Sequence, residues 1–229
     1  MPKSPIRIGL EHQPDGSVRA WGLDFPGCLA EASEDAEVVL RFAQALLRHS
    51  AWLDLHADSP WYQLDQLDFR VAEAATAPSG FPATFHDDLR PLSGPDAERA
   101  VQIFTWQNEE LLAGLESFTV TNSSSEGTAL NQAITDALQQ MAARQYQLLG
   151  RLGLPGAQVR PLRGDPLDAI QSSAPILQGL LLQPDGSTTA TGNADQNWTT
   201  RKSVRCLLGE NRLDVDRIRD LILGKRAGL

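Results

Sequence analysis

The chain has 229 residues, of which 41% are hydrophobic, so it can bury a core and form one large or two ordinary domains. Its 29 acidic residues outnumber its 20 lysines and arginines, and the net charge of -9 argues against binding to the phosphate backbone of a nucleic acid. No apolar run approaches the roughly 20 residues that a membrane span needs, and the first residues lack the apolar segment of a signal peptide. We therefore expect a cytoplasmic protein.

The two cysteines support the same expectation. Cys28 and Cys206 lack the CxxC spacing of a redox or metal motif, and they fall in what we predict to be different domains. Such thiols are typical of reduced, structural cysteines in an intracellular protein.

Alternating apolar and polar residues predict strands near the start of the chain. Residues 6–11 alternate in this way, Pro14-Asp15-Gly16 supplies the residues of a turn, and residues 17–25 form a second extended run. Residues 28–32 predict a short third strand. Residues 67–72 alternate again, and we expect them to rejoin the same sheet as a fourth strand.

A helix is predicted between the third and fourth strands. Ser33 is a suitable N-cap, and Asp35 and Glu37 place acidic side chains in the first turn, where the helix dipole favours them. The helical pattern continues to about Leu53. The apolar residues on its packing side are Val38, Leu40, Phe42, Ala43, Leu46, Leu47 and Trp52.

The segment Leu23-Asp-Phe-Pro-Gly-Cys28, followed by the acidic-capped helix, carries a resemblance over roughly the first seventy residues. In this motif, and in the order of three strands, a helix and a strand, the chain resembles the HicB-like antitoxin domain. The resemblance implies a small sheet-and-helix module that pairs with a protein partner. No basic DNA-binding segment follows the module, so we do not expect a repressor.

A domain boundary is predicted near residues 76–82. The segment Thr76-Ala-Pro-Ser-Gly-Phe-Pro82 concentrates proline, glycine and serine between two patterned regions, which is the usual composition of a linker. We therefore expect an exposed connection between a first domain at 1–76 and a second at 77–229.

Four apolar-striped helices are predicted after this boundary. Ser93-Gly-Pro-Asp96 starts the first, its stripe runs to Leu115, and a polar, Ser-rich segment follows at 117–127. The other helices are predicted at about 128–152, 166–182 and 198–223. With no intervening strand, these helices can bury their stripes only against each other. The expected fold is α+β: a small β-sheet plus helix domain followed by an all-α up-down four-helix bundle.

The apolar stripe of the last helix becomes polar in its middle. Glu210, Asn211 and Asp214 lie on or beside the face that should pack against the other helices. Burying carboxylates without partners costs several kcal/mol, so we expect other groups to neutralise them.

Four short motifs in the helical part carry a second resemblance, over about 150 residues. They are Leu89-Arg-Pro-Leu-Ser93, Leu149-Gly-Arg-Leu-Gly153, Gly164-Asp-Pro166 and Trp198-Thr-Thr-Arg-Lys202, each at the end or the start of a predicted helix. In these motifs and their order the chain resembles the DinB-like bundle family. The resemblance implies a divalent metal held by three histidines and, for some members, thiol-dependent transferase or isomerase chemistry.

The chain departs from that family at all three metal positions. The histidine of the second helix falls on Gln140, and the HxxxH pair of the fourth falls on Glu210 and Asp214. These side chains offer only oxygen, whereas nickel and zinc sites favour imidazole. Such a set suits Mg²⁺, Ca²⁺ or Mn²⁺ in principle, but three side chains alone bind these ions poorly.

An arginine offers an alternative to the metal. Arg144 lies one turn beyond Gln140 on the second helix, and its guanidinium is predicted to reach Glu210 or Asp214 across the bundle. A polar cavity at the same place is a second possibility. It would bind a small cationic ligand and be lined by Tyr146 and the Ser-rich segment.

Three functional hypotheses follow. The first is a cytoplasmic binding or regulatory protein whose DinB-like bundle has lost its catalytic metal and needs no cofactor. The second is a metal-dependent thiol S-transferase or isomerase with an atypical site at Gln140, Glu210 and Asp214. The third is a toxin-binding, antitoxin-like module acting through the first domain. We expect a small-molecule or protein partner and, from the broad stripe of the first bundle helix, a homodimer.

Overall fold

The computed structural model describes residues 5–62, 68–121, 128–153, 164–182 and 198–224, and it has the predicted α+β class. The strands are β1 (Ile6–His12), β2 (Val18–Gly22), β3 (Leu29–Ala32) and β4 (Phe69–Thr76). The helices are α1 (Asp35–His56), α2 (Gly94–Thr121), α3 (Thr128–Arg151), α4 (Pro166–Leu181) and α5 (Thr200–Ile222), with a 3-10 turn at Asp87–Leu89 before α2. No helix among these residues is long and apolar enough to cross a membrane.

The four strands form one mixed sheet in the order β3-β2-β1-β4. Successive strands β1, β2 and β3 pair antiparallel because short turns join them, whereas β4 pairs parallel with β1 because α1 crosses over between β3 and β4. The side chains of β1 alternate between the two faces of the sheet. Ile6, Ile8 and Leu10 pack with Phe42 and Leu46 of α1, which leaves Gly9 and Glu11 on the other face.

The structure corrects the predicted ends of several elements: β2 ends at Gly22 rather than at residue 25, and α1 continues to His56. The N-cap of α1 is Glu34 rather than Ser33, whose hydroxyl bonds the Glu37 side chain instead. The fourth strand reaches Thr76 because its residues continue to pair with β1; its predicted first residue, Leu67, lies outside the described residues. α2 extends to Thr121, so the first part of the Ser-rich segment is helical, and residues 122–127 lie outside the described part of the chain.

Helices α2 to α5 pack around two apolar clusters, one at each end of the bundle. One cluster joins the N-terminal halves of α2 and α5 to the C-terminal halves of α3 and α4, and the other joins the opposite halves. α2 and α5 therefore run one way and α3 and α4 the other. The helices follow the order up, down, down, up, which corrects the simple up-down alternation that we predicted from sequence.

The sheet and the bundle share buried surface. Residues 78–81 of the connection are exposed, as predicted for a linker, but Ala83 and Phe85 are buried. Leu53 of α1 belongs to the same apolar cluster as residues of α2 and α5, and a Cβ on Gly209 of α5 would lie 2.5 Å from the ring of Trp21 in β2. The two parts are therefore packed together, while their division near residue 76 stays a prediction.

Candidate functional site

α5 carries the candidate site because it lies between the sheet and the rest of the bundle. The Thr199 side chain caps its first turn by accepting a hydrogen bond from the backbone N–H of Lys202. Its middle places polar side chains toward three different elements, namely β2, α3 and α2. The polar side chains in the middle of α5 thus bind groups on neighbouring elements rather than solvent.

Glu210 and Asp214 are neutralised by arginines. The Nη1 group of Arg144 donates to Glu210 Oε2 at 2.9 Å and to both oxygens of Asp214 at 3.1 Å, so the predicted ion pair is present. Arg19 of β2 donates to the other oxygen of Glu210 at 2.6 Å and to Glu31 of β3 at 3.0 Å. The chain Glu31–Arg19–Glu210–Arg144–Asp214 therefore connects the sheet to α5 and α3.

Gln140 takes no part in this arrangement. Its side chain is exposed on α3, and within the described residues no hydrogen bond joins it to Glu210 or Asp214. The structure therefore brings together two of the three predicted metal positions and the predicted charge partner. Tyr146 packs beside the second apolar cluster and does not line the cavity next to Glu210, so its predicted place in a ligand cavity is wrong; residues 122–127 of the Ser-rich segment lie outside the described residues.

A buried amide network occupies the centre of the bundle beside the ion pairs. Asn211 donates to Gln107 Oε1 at 2.9 Å and to Asn108 Oδ1 at 3.2 Å, and Gln145 donates to Asn211 and Asn108 at 2.7 and 3.1 Å. Asn108 itself donates to Ser173 of α4. Because these hydrogen bonds join side chains of α2, α3, α4 and α5, the layer fixes the relative positions of four helices, and we assign it a structural role, although Gln145 Oε1 is buried without a hydrogen-bond partner.

Arg205 joins α5 to the sheet through a second set of buried charges. Its guanidinium makes two hydrogen bonds to Asp88, at 2.8 and 2.9 Å, and lies 3.8 Å from Glu11 Oε2. It also stacks between the rings of Trp21 and Phe85, each 4.6 Å away. Glu11 is fully buried, and this burial raises the pKa of its carboxyl group.

A cleft of about 310 Å³ opens beside the Arg144–Glu210 pair. Its walls come from both parts of the molecule: the sheet, the connection at 80–82, α3 and α5. The polar side chains and the two aromatic rings that line it are Glu11, Gln13, Arg19, Phe81, Arg144, Gln147, Arg151, Trp198 and Glu210. A volume near 300 Å³ lies at the lower end of the range for small-molecule sites.

The donor set at this cleft disfavours a metal ion. Both oxygens of Glu210 already accept arginine hydrogen bonds, and a bound cation would lie against the guanidinium of Arg144. Among the residues that the structure describes, no group of three His, Cys, Asp or Glu side chains is arranged to hold a metal ion. The carboxylates therefore act here as acceptors for arginine.

Sequence reasoning missed several residues of this site. Arg19, Arg151 and Trp198 line the cleft, but the sequence pattern gives no sign that β2 faces α5 or that the two ends of α3 and α5 meet. The one available signal was the spacing of Arg144, Gln147 and Arg151, which places all three on one face of α3.

The pKa of Asp214 gives a test of the ion-pair geometry. Burial raises this pKa from its usual 3.8 to about 6, Arg144 lowers it in part, and Glu210 raises it again. Because the folded-state pKa is raised, the stability linked to this group is fully present below pH 3.8 and is lost as pH rises through about 6. We expect the free energy of unfolding of Asp214→Asn, relative to that of the native chain, to rise by about 1 to 3 kcal/mol between pH 4 and pH 7.

The measurement is urea unfolding of both chains at several pH values. A stability difference that does not change with pH would show that Asp214 titrates normally. Asp220→Asn, on the same helix, is the control for the loss of one negative charge.

Comparison of the chain with protein-family models, with curated proteins and with solved structures finds no match in any of the three.

Proposed function

We propose that this chain is a non-catalytic binding protein whose ligand site is the cleft between the sheet and the bundle. The observation that carries the proposal is the cleft itself. It is open, it is lined by both parts of the molecule, and the carboxylate of Glu210 beside it is already bound by arginines. On this proposal the DinB-like bundle has kept a pocket near its former metal position and has replaced the metal with Arg144. The cytoplasm is the proposed compartment, since both cysteines are free and buried.

The experiment is a thermal-shift screen with a panel of small carboxylates, phosphates, amines and neutral sugars. A second chain carries Gln147→Trp, which fills the cleft from an exposed position on α3. The control is Gln139→Trp, also exposed on α3 but outside the cleft lining. We expect at least one compound to raise the melting temperature of the native chain and of the control, but not of Gln147→Trp.

A panel that stabilises none of the chains, or all three equally, would contradict the proposal. The metal-dependent transferase or isomerase remains the alternative for which the donor set gives least support. Gln140 is exposed, and Glu210 and Asp214 are bound to Arg144.

Association with a protein is a second candidate function, favoured by the outer face of α1. Leu40, Leu47 and Leu55 are 70%, 48% and 84% exposed, and their spacing places them along one side of the helix. The α2 residues on which we based the expected homodimer, such as Phe104 and Leu111, are buried inside the bundle. If the chain forms a homodimer or binds a toxin-like partner, α1 therefore provides a better surface than α2. Light scattering of the native chain and of a triple variant tests the dimer: we expect a dimer mass for the native chain and a monomer mass for Leu40→Gln, Leu47→Gln, Leu55→Gln.

A further inference from the structure

The wall of the cleft that α3 provides is a row of hydrogen-bond donors. Arg144, Gln147 and Arg151 lie at positions i, i+3 and i+7, which share one helical face, and all three line the cleft. Each ends in N–H groups, and the two arginines carry full positive charges. A ligand in the cleft would therefore meet donors along the C-terminal part of α3.

Arg151 is a cation of the cleft whose hydrogen-bond donors are open to a ligand. Its guanidinium lies 5.2 Å from the centre of the Trp198 ring, so the side chain has a defined position. Within the described part of the chain it forms no ion pair and no hydrogen bond. Arg19, by contrast, is held between two carboxylates, Glu31 and Glu210.

Arg144 also has donors to spare. All three of its hydrogen bonds to Glu210 and Asp214 use one nitrogen, Nη1. No hydrogen bond within the described residues reaches its Nη2 or Nε, and the side chain is 36% exposed. Two N–H edges of a guanidinium can bind a carboxylate or a phosphate in a fork, so Arg144 can hold Glu210 and a ligand together.

Neither glutamate that lines the cleft is open to pair with Arg151. Both oxygens of Glu210 are bound to arginines, and Glu11 is completely buried beside Arg205. Arg19 and Arg144 are paired with Glu31, Glu210 and Asp214, so within the described residues Arg151 is the arginine of the lining that has no carboxylate beside it. An unpaired guanidinium in a cleft attracts small anions.

We propose that the ligand is a small anion with at least two acidic oxygens, of the phosphate or dicarboxylate class, bound between Arg144 and Arg151 and next to Gln147. This inference rests on the proposed binding function and names the class of ligand for that site. The Trp198 ring, 5.2 Å from the Arg151 guanidinium, holds that group in place beside the ligand.

The experiment is isothermal titration calorimetry of the full chain with two probes, inorganic phosphate and malonate. We expect saturable binding of at least one probe, and the two titrations distinguish phosphate from dicarboxylate recognition. Arg151→Gln should weaken that binding roughly tenfold to a hundredfold, because a charge-assisted fork is lost. Arg70→Gln, which removes the same charge from an exposed position on β4, should change it by less than about twofold.

Arg151→Lys keeps the positive charge but removes the two parallel N–H donors of the guanidinium. It is expected to bind with an affinity between those of the native chain and Arg151→Gln. Circular dichroism of each variant establishes that it is folded. The absence of saturable binding of both probes to the native chain would overturn the inference, and so would equal binding by Arg151→Gln. If neutral or cationic compounds bind in the cleft while these anions do not, the ligand class is wrong and the binding function stands.

Discussion

Replacing Arg205 with alanine is expected to destabilise the protein by about 3 to 5 kcal/mol, because the change leaves two buried carboxylates without their counterion. Asp88 is 1% exposed and loses two hydrogen bonds, and Glu11 is fully buried and loses its nearest positive charge. The rings of Trp21 and Phe85 lose the group that stacks between them. For a chain of this length the melting temperature should fall by roughly 10 °C.

The matched control for this experiment is Arg217→Ala on the same helix. Arg217 is exposed, and its removal should change the unfolding free energy by less than about 0.5 kcal/mol. Chemical denaturation of both variants gives the comparison. If Arg205→Ala were as stable as the control, the contact between α5 and the sheet would not depend on these charges, and the junction would have to be held by apolar packing alone.

Gly209→Ala is expected to cost about 1 to 3 kcal/mol, although alanine is the better helix former. In an open helix position this change would stabilise the protein by up to about 1 kcal/mol. At Gly209 the new Cβ would lie 2.5 Å from one ring carbon of Trp21 and 3.4 Å from a methyl group of Leu29. The ring is buried and cannot move away without shifting β2, so overpacking outweighs helix propensity.

Two other helical glycines, which have no such neighbour in the part of the chain that the structure describes, serve as controls for Gly209→Ala. At Gly114 in α2 and Gly179 in α4, a new Cβ would meet no atom of the described residues within 4 Å, so alanine there should be neutral or stabilising. Thermal melts of the three single variants measure the contrast. A stabilising Gly209→Ala would mean that α5 does not approach the sheet as closely as the structure has it.

The elements were predictable from sequence because their signals are local. Alternation and the Pro14-Asp15-Gly16 turn indicate the first hairpin, and helical stripes with clear start signals locate α2 to α5 to within a few residues. The direction of the helices was not predictable in the same way. Whether α3 and α4 run parallel depends on which ends pack together, and that is a property of the assembled core.

The site shows the same division between local and distant information. Arg144 was identified because it lies one turn from Gln140, the position that the resemblance placed opposite Glu210, and a helix repeats its faces every three to four residues. Gln140 failed because α3 turns that position outward to solvent. Arg19 is 191 residues from Glu210 in sequence, and no pattern in either segment predicts that β2 lies against α5.

The chain's central feature is that an arginine holds Glu210 and Asp214 where the resemblance implies a metal ion. The measurement that tests it most directly is thermal unfolding of the native chain and of Arg144→Ala, each with and without EDTA. We predict that Arg144→Ala lowers stability by about 1 to 4 kcal/mol, since it leaves the half-buried Glu210 and the buried Asp214 facing each other, and that EDTA changes neither melt. The opposite result would contradict the arginine assignment: a melting temperature of the native chain that falls on addition of EDTA, together with an Arg144→Ala variant about as stable as the native chain.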